Sequence, residues 1–415
     1  MTAQGAVFDL YPTAQQEVAR LASRADVRAA CEWFRSQESK LAAWQMDVAR
    51  IASPPFGEVA RGAWLAERFR KIGLNEVQTD EVGNVLGIHP AYGNRYVALS
   101  AHIDTVFPLT TPLNLRQQGS RLYGPGVSDN GAGIAAMLAI AGALQAAGIG
   151  HALPFLFIGN VGEEGEGDLR GMRHIFATPR WNDGIAYNIV VDGAGSETIV
   201  AEALGSRRFE VIVRGPGGHS WSDFGAPNPI IVLSRAIDEF SQTPVPASPK
   251  TTFNVGVVRG GTSVNSIPES ASMRVDLRST SSSEIDRLER ALRDALDRAL
   301  QAENDAVASN PRRPHLVQAE VVEIGNRPAG ELASDARILK VIRAVDAHLS
   351  NAAQVQRAST DANVPLSLGR EAIAIGGGGT GGGAHTLQEW FDCSGRDLGL
   401  KRILLTMLAL DGIGE

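Results

Sequence analysis

The sequence predicts an α/β protein: a mostly parallel central sheet flanked by helices, with a smaller α+β domain inserted in the chain. Three observations carry this expectation. Short apolar runs alternate with helical stretches, and several of these runs lead into acids or histidines. The middle of the chain changes character, to long alternating segments followed by an amphipathic helix. The 415 residues are enough for two or three domains. The 44% hydrophobic and 20% charged fractions suit a buried core rather than a disordered chain.

In order along the chain, residues 26–51 carry apolar side chains at three- and four-residue spacing until Pro54-Pro55, which predicts a helix. A second helix is expected from Ala60 to Ile72, stopped by Gly73. Tyr96–Ala101 is a strand-like run leading into His102. Gly133–Ala147 reads as a helix, and Leu153–Ile158 as a strand leading into Glu163 and Glu164. Ile189–Val191 leads into Asp192, and Ala372–Ile375 into a glycine run and His385. In parallel sheets, sites form beyond the carboxyl ends of strands, where these acids and histidines fall. Between them, Arg207–Arg214 alternates like a half-exposed strand and Pro229–Phe240 reads as a helix. Thr252–Arg259 and Ala271–Arg278 read as further strands. Ser281-Ser-Ser-Glu284 has the pattern of a capping box opening a helix with the stripe Ile285, Leu288, Leu292, Leu296 and Leu300. Residues 206–323 are therefore expected to form the inserted domain, with 1–205 and 324–415 forming the larger one.

Composition removes several function classes. With 39 Lys+Arg against 46 Asp+Glu the formal charge is −7, which argues against nucleic-acid binding. Cys31 and Cys393 cannot make a disulfide framework and are expected to be reduced thiols. The opening MTAQGAVFDLYPTAQQ has neither a basic nor a continuous apolar region, so a cytoplasmic location is expected. The most apolar stretch, Ala132–Gly159, is interrupted by Gln145, His151 and Pro154 and reads as a buried helix and strand rather than a membrane span.

The chemistry lies in short motifs. Singly, each has an ordinary explanation: His102-Ile-Asp104 as a chance pair, Asp129 in a glycine-rich turn as a helix cap, Glu163-Glu164 as solvated acids. Together with Asp192 and His385, they bring two imidazoles and several carboxylates to one sheet edge. Two His and three carboxylates suit two divalent ions sharing a carboxylate, an arrangement that polarises a carbonyl and activates water. Mixed imidazole and carboxylate ligation favours zinc, with cobalt or manganese as substitutes. Of the pair Glu163-Glu164, one carboxylate can be a ligand and the other a base. Asp104 is placed to orient His102.

The pieces SAHIDTV, GVSDNGAG, GNVGEEGEG, VVDGAG, GPGGHS and GGAHTLQEW resemble, in order, the di-zinc exopeptidase family of peptidase T, glutamate carboxypeptidase and aminoacylase. The resemblance implies a zinc-exopeptidase catalytic domain with a ferredoxin-like lid and dimerisation domain. It implies that His102 and Asp192 hold one zinc, Glu164 and His385 the other, and that Asp129 bridges both, followed by a cis peptide to Asn130. Glu163 would be the general base and Asp104 the partner of His102. In the lid, His219 would stabilise the oxyanion, often from the partner subunit of a homodimer, and Asn265 and Arg278 would hold substrate. Asp at position 192 and the segment Ser359-Thr-Asp361-Ala-Asn363 resemble the peptidase T branch, implying cleavage of short peptides with a free amino terminus. An N-acyl-amino-acid amidohydrolase or carboxypeptidase is the alternative. The chain departs from the peptidase T pattern in its longer glycine run and in Asn130, where Asp is frequent.

Readings from other classes are weaker. Gly376-x-Gly378-x-x-Gly381 fits a dinucleotide fingerprint, but only 34 residues follow it, with no returning strand in view. A non-catalytic binding relative would have lost a ligand or the base, and all seven positions are filled. The remaining histidines, His89, His151, His174, His315 and His348, are expected to be structural.

Overall fold

The computed structural model describes residues 13–308 and 316–411; His315 lies outside them. The chain divides into two compact units, one of Met1–Glu202 with Glu331–Glu415, the other of Ala203–Gly330. The second is a few residues wider than the 206–323 expected, because its first strand already starts at Gly205 and its last runs to Arg327.

In chain order, the first unit opens with helices α1 (Ala14–Ser23), α2 (Ala25–Ser36), α3 (Glu38–Ala49) and α4 (Val59–Ile72). Strands β1 (Asn75–Thr79), β2 (Val85–His89), β3 (Tyr96–His102), β4 (Arg116–Gln118) and β5 (Arg121–Tyr123) follow, then α5 (Gly131–Ala147), β6 (Phe155–Asn160), α6 (Arg170–Ala177), α7 (Pro179–Gly184), β7 (Ile185–Val191) and β8 (Thr198–Ala203). The second unit holds β9 (Gly205–Arg214), β10 (Gly218–His219), α8 (Pro229–Ser241), β11 (Thr251–Gly260), β12 (Ser266–Ile267), β13 (Ser270–Ser279), α9 (Ser282–Ala308) and β14 (Gln318–Arg327). The chain returns through β15 (Gly330–Glu331), α10 (Arg337–Leu349), β16 (Gln354–Ala358), α11 (Asn363–Ser367), β17 (Glu371–Ile375), β18 (Thr380–Gly382), β19 (Trp390–Asp392) and α12 (Arg396–Asp411).

The main sheet runs β1-β2-β6-β3-β7-β17-β8-β15. Its centre, β6, β3, β7 and β17, is parallel, and β2 and β8 join it antiparallel. Alternate residues serve opposite faces, as strand geometry requires. Val97, Leu99, Phe155 and Phe157 join one core with α5 and α12, whereas Ala98, Leu156 and Ile158 join a second core with α6. The run from Ala132 to Gly159 is the buried helix α5 followed by β6; α5 is buried from Gly131 to Leu144. Among the described residues no helix is long and apolar enough to cross a membrane.

The local structure differs from expectation over 26–51. The pattern over 26–51 is two helices, broken at Gln37, which leaves the helical region with φ −100° and ψ 7°. Leu41, Trp44 and Val48 of α3 join the main core and Ala42, Met46 and Ala49 a second one, so α3 is buried on more than one face. The glycine run is not the turn into a helix: β18 pairs with β19, which pairs with β5, in a small antiparallel sheet.

The second unit is a four-stranded antiparallel sheet, β11-β13-β9-β14, packed on α8 and α9. Phe209, Val211, Val213, Met273, Val275 and Leu277 face Leu288, Leu292 and Leu296 of α9. At the start of α9, Ser281 Oγ meets Ser283 Oγ at 2.8 Å and the Glu284 carboxylate accepts from Arg287, in place of a reciprocal box.

At the edge of the main sheet away from His102, His89 pairs in register with Phe155 and its Nδ1 lies 2.6 Å from His151 Nε2. His151 Nδ1–H donates to the Leu153 carbonyl at 2.7 Å, so its Nε2 accepts from His89. Burial, with His151 alongside, pushes the His89 imidazole down to about 4 from 6.5. The unfolded chain takes up this proton below pH 6.5 and the folded one does not, so stability is lost as pH falls from about 6.5 toward 4. Urea unfolding from pH 7 to 4.5 should show a steeper loss for the native chain than for His89→Gln; equal slopes would refute the assignment.

Candidate metal centre

The parallel strands deliver their ends to one place. His102 ends β3, Glu163 and Glu164 follow β6, Asp192 follows β7, and His385 comes ten residues after β17. Asp129 sits just before α5, and its peptide to Asn130 is cis. His102 Nε2 lies 3.2 Å from Asp129 Oδ1 and 3.7 Å from Asp192 Oδ1. His385 Nε2 lies 3.0 Å from Asp129 Oδ2 and 3.1 Å from Glu164 Oε1. The two oxygens of Asp129 therefore face two different groups, His102 with Asp192 and His385 with Glu164. Glu163 offers an oxygen to a third, overlapping group with His102 and Glu164.

The donor chemistry fits divalent cations. His102 Nδ1 faces the Asp104 carbonyl oxygen at 3.2 Å and the Asp104 carboxylate at 3.6 Å, which places the proton there and turns the Nε2 lone pair toward Asp129. Asp129 Oδ1 is buried with no hydrogen-bond donor, so two acceptors face each other at 3.2 Å and need a cation or a proton between them. Without metal, the balance goes to protons. Burial opposes a charged His102, but Asp104, Asp129 and Asp192 outweigh it and hold the imidazole well above 6.5. Asp129, with Glu164 alongside, raises His385 to about 9, and Asp129 itself is held low by both histidines against its burial. Burial pushes Glu164 up.

Several residues outside the donor set fix its geometry. Asp104, fully buried, accepts N–H groups from Glu163 at 3.0 Å and Glu164 at 2.8 Å. The Asn130 amide donates to the Val191 carbonyl at 2.8 Å, and its oxygen accepts from Gly133 at 3.0 Å and Gly193 at 3.1 Å. Asn130 thereby ties the Asp129 turn to the strand end carrying Asp192, and its NH2 makes a bond that an ionised Asp could not donate. Arg61, 1% exposed, and Ser53 both donate to the Ile103 carbonyl between His102 and Asp104. Burial brings the Arg61 guanidinium down to about 10.

Sequence reasoning assigned no role to Glu389 or to Gln45, although Glu389 lies in the motif with His385. The fully buried Glu389 carboxylate accepts backbone N–H groups from Gly126, Ser128 and Asp129, each at 2.7 Å. Burial still raises it to about 7. Gln45 donates to the Val127 carbonyl of the same turn. Asp361, buried and raised by that burial to about 7, accepts from Asn160 Nδ2 at 2.6 Å beneath the Glu163 loop.

In the second unit, His219 is exposed on β10. Its Nδ1 accepts the Trp221 N–H at 3.2 Å, which leaves Nε2 as the proton-bearing nitrogen. Asn265 sits in the turn before β12; its carbonyl accepts from Ser220 and its side chain from Ser263. Arg278 donates to Asp276 at 2.6 Å on its own strand. Of the other histidines, His174 pairs with Glu81 at 3.1 Å and His348 is exposed in the last turn of α10. Cys31 and Cys393 are free thiols, and burial raises Cys393 to about 11.

A carboxylate shared between two histidine–carboxylate groups at the carboxyl edge of a parallel sheet is the arrangement of a two-cation hydrolase centre. The chain belongs to Peptidase family M20/M25/M40, which its residues 98–408 match. A protein of Aspergillus clavatus named a probable carboxypeptidase is 29% identical over 266 residues, 58% of this chain and 58% of that one. The chain thus matches less than two thirds of that curated relative's length. Among solved structures, the aminopeptidase PepT of Bacillus cereus superposes with a TM-score of 0.71 at 20% identity, covering 90% of this chain and 98% of that one. The YxeP protein of Bacillus subtilis, described as a dinuclear metal-binding peptidase, gives 0.65 at 14% identity, covering 91% and 99%. At such identities these structures establish the shared fold.

Glu389→Gln keeps the shape but loses an acceptor, leaving at least one of three buried N–H groups unpaired. It should lower the unfolding free energy of the metal-free protein by about 1–3 kcal/mol. Urea denaturation at pH 8 checks this; a change under about 0.5 kcal/mol, the usual range for surface substitutions, would show that Glu389 does not hold the turn.

Proposed function

We propose that the protein is a two-metal exopeptidase that cleaves short peptides carrying a free amino terminus. The observation that carries the reading is the Asp129 carboxylate, whose two oxygens face separate histidine–carboxylate groups. In this reading His102 and Asp192 hold one ion, Glu164 and His385 the other, and Asp129 bridges them, zinc being the ion the donor set suits and cobalt or manganese its substitutes. The ions supply Lewis-acid polarisation of the scissile carbonyl and lower the pKa of water. Glu163, its backbone N–H held by Asp104, takes the proton from the attacking water and passes it to the departing amine. The 203–330 unit serves as lid and dimerisation domain of a homodimer. There His219 Nε2–H is the donor for the developing oxyanion, and Asn265 and Arg278 hold substrate; Arg278 would have to exchange Asp276 for a substrate carboxylate.

Asp at position 192 and the names of structural neighbours, an aminopeptidase and a tripeptidase, support the amino-terminal reading. The curated relatives named carboxypeptidases favour a second one, a carboxypeptidase or N-acyl-amino-acid amidohydrolase using the same centre. Assay of di-, tri- and N-acylated peptides with the zinc-loaded protein separates the two: preference for N-acylated substrates would overturn the first.

Elemental analysis of the purified protein should find about two ions per chain, and Asp129→Ala should lose both. One tightly held ion in a fully active protein contradicts the paired centre. Glu163→Gln should keep its metal and melting temperature while kcat falls about 10²–10⁴-fold, the usual worth of a positioned base. A loss within about tenfold, some 1.4 kcal/mol of barrier, would assign the proton transfer to another group.

A further inference from the structure

A cleft of about 330 Å3 opens beside Asp129 and Asp192, and no step proposed above uses it. It lies wholly within the larger unit, between the chain after β7 and strand β18. Its volume is at the low end for ligand pockets, room for one amino-acid residue rather than an extended peptide. The walls are largely backbone: Gly193 and Gly195 on one side, Gly381 and Gly382 on the other. The fit is close, because a Cβ at Gly381 would lie 2.4 Å from Ser128 Oγ and one at Gly382 2.9 Å from the Trp390 indole nitrogen. Glycine there lets strand β18, one wall of the cleft, lie close against Ser128 and Trp390.

Its charge is one-sided. Asp129 and Asp192 face the ions of the proposed centre, so their charge is answered. Glu197, also on the wall, is different. It is exposed, and its Oε2 accepts only the Ser196 backbone N–H at 3.0 Å. Among the described residues no Lys or Arg pairs with it, and the other polar side chains of the cleft, Ser128 and Thr380, are neutral. A carboxylate left without a counter-ion, in a small cleft beside the reacting centre, attracts a cation and repels a carboxylate.

We infer that Glu197 is a specificity-determining residue, which receives a cationic nitrogen of the substrate residue seated in this cleft. That nitrogen is either the α-ammonium of the peptide's first residue or the side-chain cation of a basic one. The inference rests on the peptide-hydrolase reading of the Asp129 centre and deepens it. Where the occupant is the α-ammonium, it gives a physical reason for preferring a free amino terminus over an acylated one.

The test uses the full-length, zinc-loaded protein and three probes, L-alaninamide, L-lysinamide and N-acetyl-L-alaninamide, titrated by calorimetry with chromatography verifying that each stays intact over the titration. The native chain should bind a cationic probe about tenfold or more above the acetylated one, less so as salt is raised. Glu197→Gln keeps an acceptor for the Ser196 N–H, so its melting temperature serves as the control for folding. In this variant the cationic preference should fall about tenfold, and with tripeptide substrate the change should lie in KM more than kcat. If both amides lose affinity, the α-ammonium is the occupant; if only L-lysinamide does, the basic side chain is. Equal binding of all three probes by the native chain, or an unchanged preference in Glu197→Gln, overturns the inference. A retained cation preference in a protein that cleaves no peptide would overturn the hydrolase reading instead and leave the cleft's selectivity standing.

Discussion

Five carboxylates, those of Asp104, Asp129, Glu163, Glu164 and Asp192, share one end of the sheet with two imidazoles. Two like charges 4 Å apart repel by about 4 kcal/mol at an effective dielectric constant of 20, so such a cluster disperses unless something opposes it. Much of the structure around the site is arranged to oppose it. Asp104 turns both oxygens to the backbone N–H groups of Glu163 and Glu164, which spends its charge on positioning. Glu389 takes three N–H groups of the turn that carries Asp129. What remains unanswered is concentrated between the groups facing Asp129, and cations fit there.

One member of the supporting layer, the residue next to Asp129 in the chain, carries no charge. Asn130 joins the Asp129 turn to the end of β7 through its amide, making one bond as donor and two as acceptor. A carboxylate there would forfeit the donor and add another charge beside Asp129. Arg61 and Gln45 reach the neighbouring carbonyls of Ile103 and Val127 from α4 and α3, so the first helices of the chain are fastened directly to the site.

Much of this was legible in the sequence, for a physical reason. Parallel strands deliver their carboxyl ends to one edge, so apolar runs ending in acid or histidine identify a common site before any contact is known. His102, Glu163, Glu164 and Asp192 lie within a few residues of such ends. The supports were harder to read because their partners are remote along the chain. Glu389 meets Gly126 across 263 positions, and Gln45 meets Val127 across 82. The glycine run also matches a dinucleotide fingerprint, because glycine marks close backbone approach of any kind. Only the pairing of β18 with β19 shows which kind it is here. At Gln37 the apolar spacing continues through the break, so periodicity carries no trace of it.

The two sides of the shared carboxylate are unlike, and this asymmetry bears on how the site tolerates its charge. The His102 side chain is 1% exposed, held by Asp104 behind it and by Asp129 and Asp192 in front. The His385 side chain is 55% exposed and reaches in from a turn where its own φ is 65°. Burial magnifies the interactions of His102, so its geometry has to be built from the sheet itself, and His102 is part of strand β3. Water screens His385, so a place on a glycine-flanked loop suffices for it. The carboxylates run the other way, since Asp192 beside His102 is 24% exposed and Glu164 beside His385 only 8%. Each half therefore pairs one buried donor with one that water reaches, so neither half leaves its charge wholly without solvent.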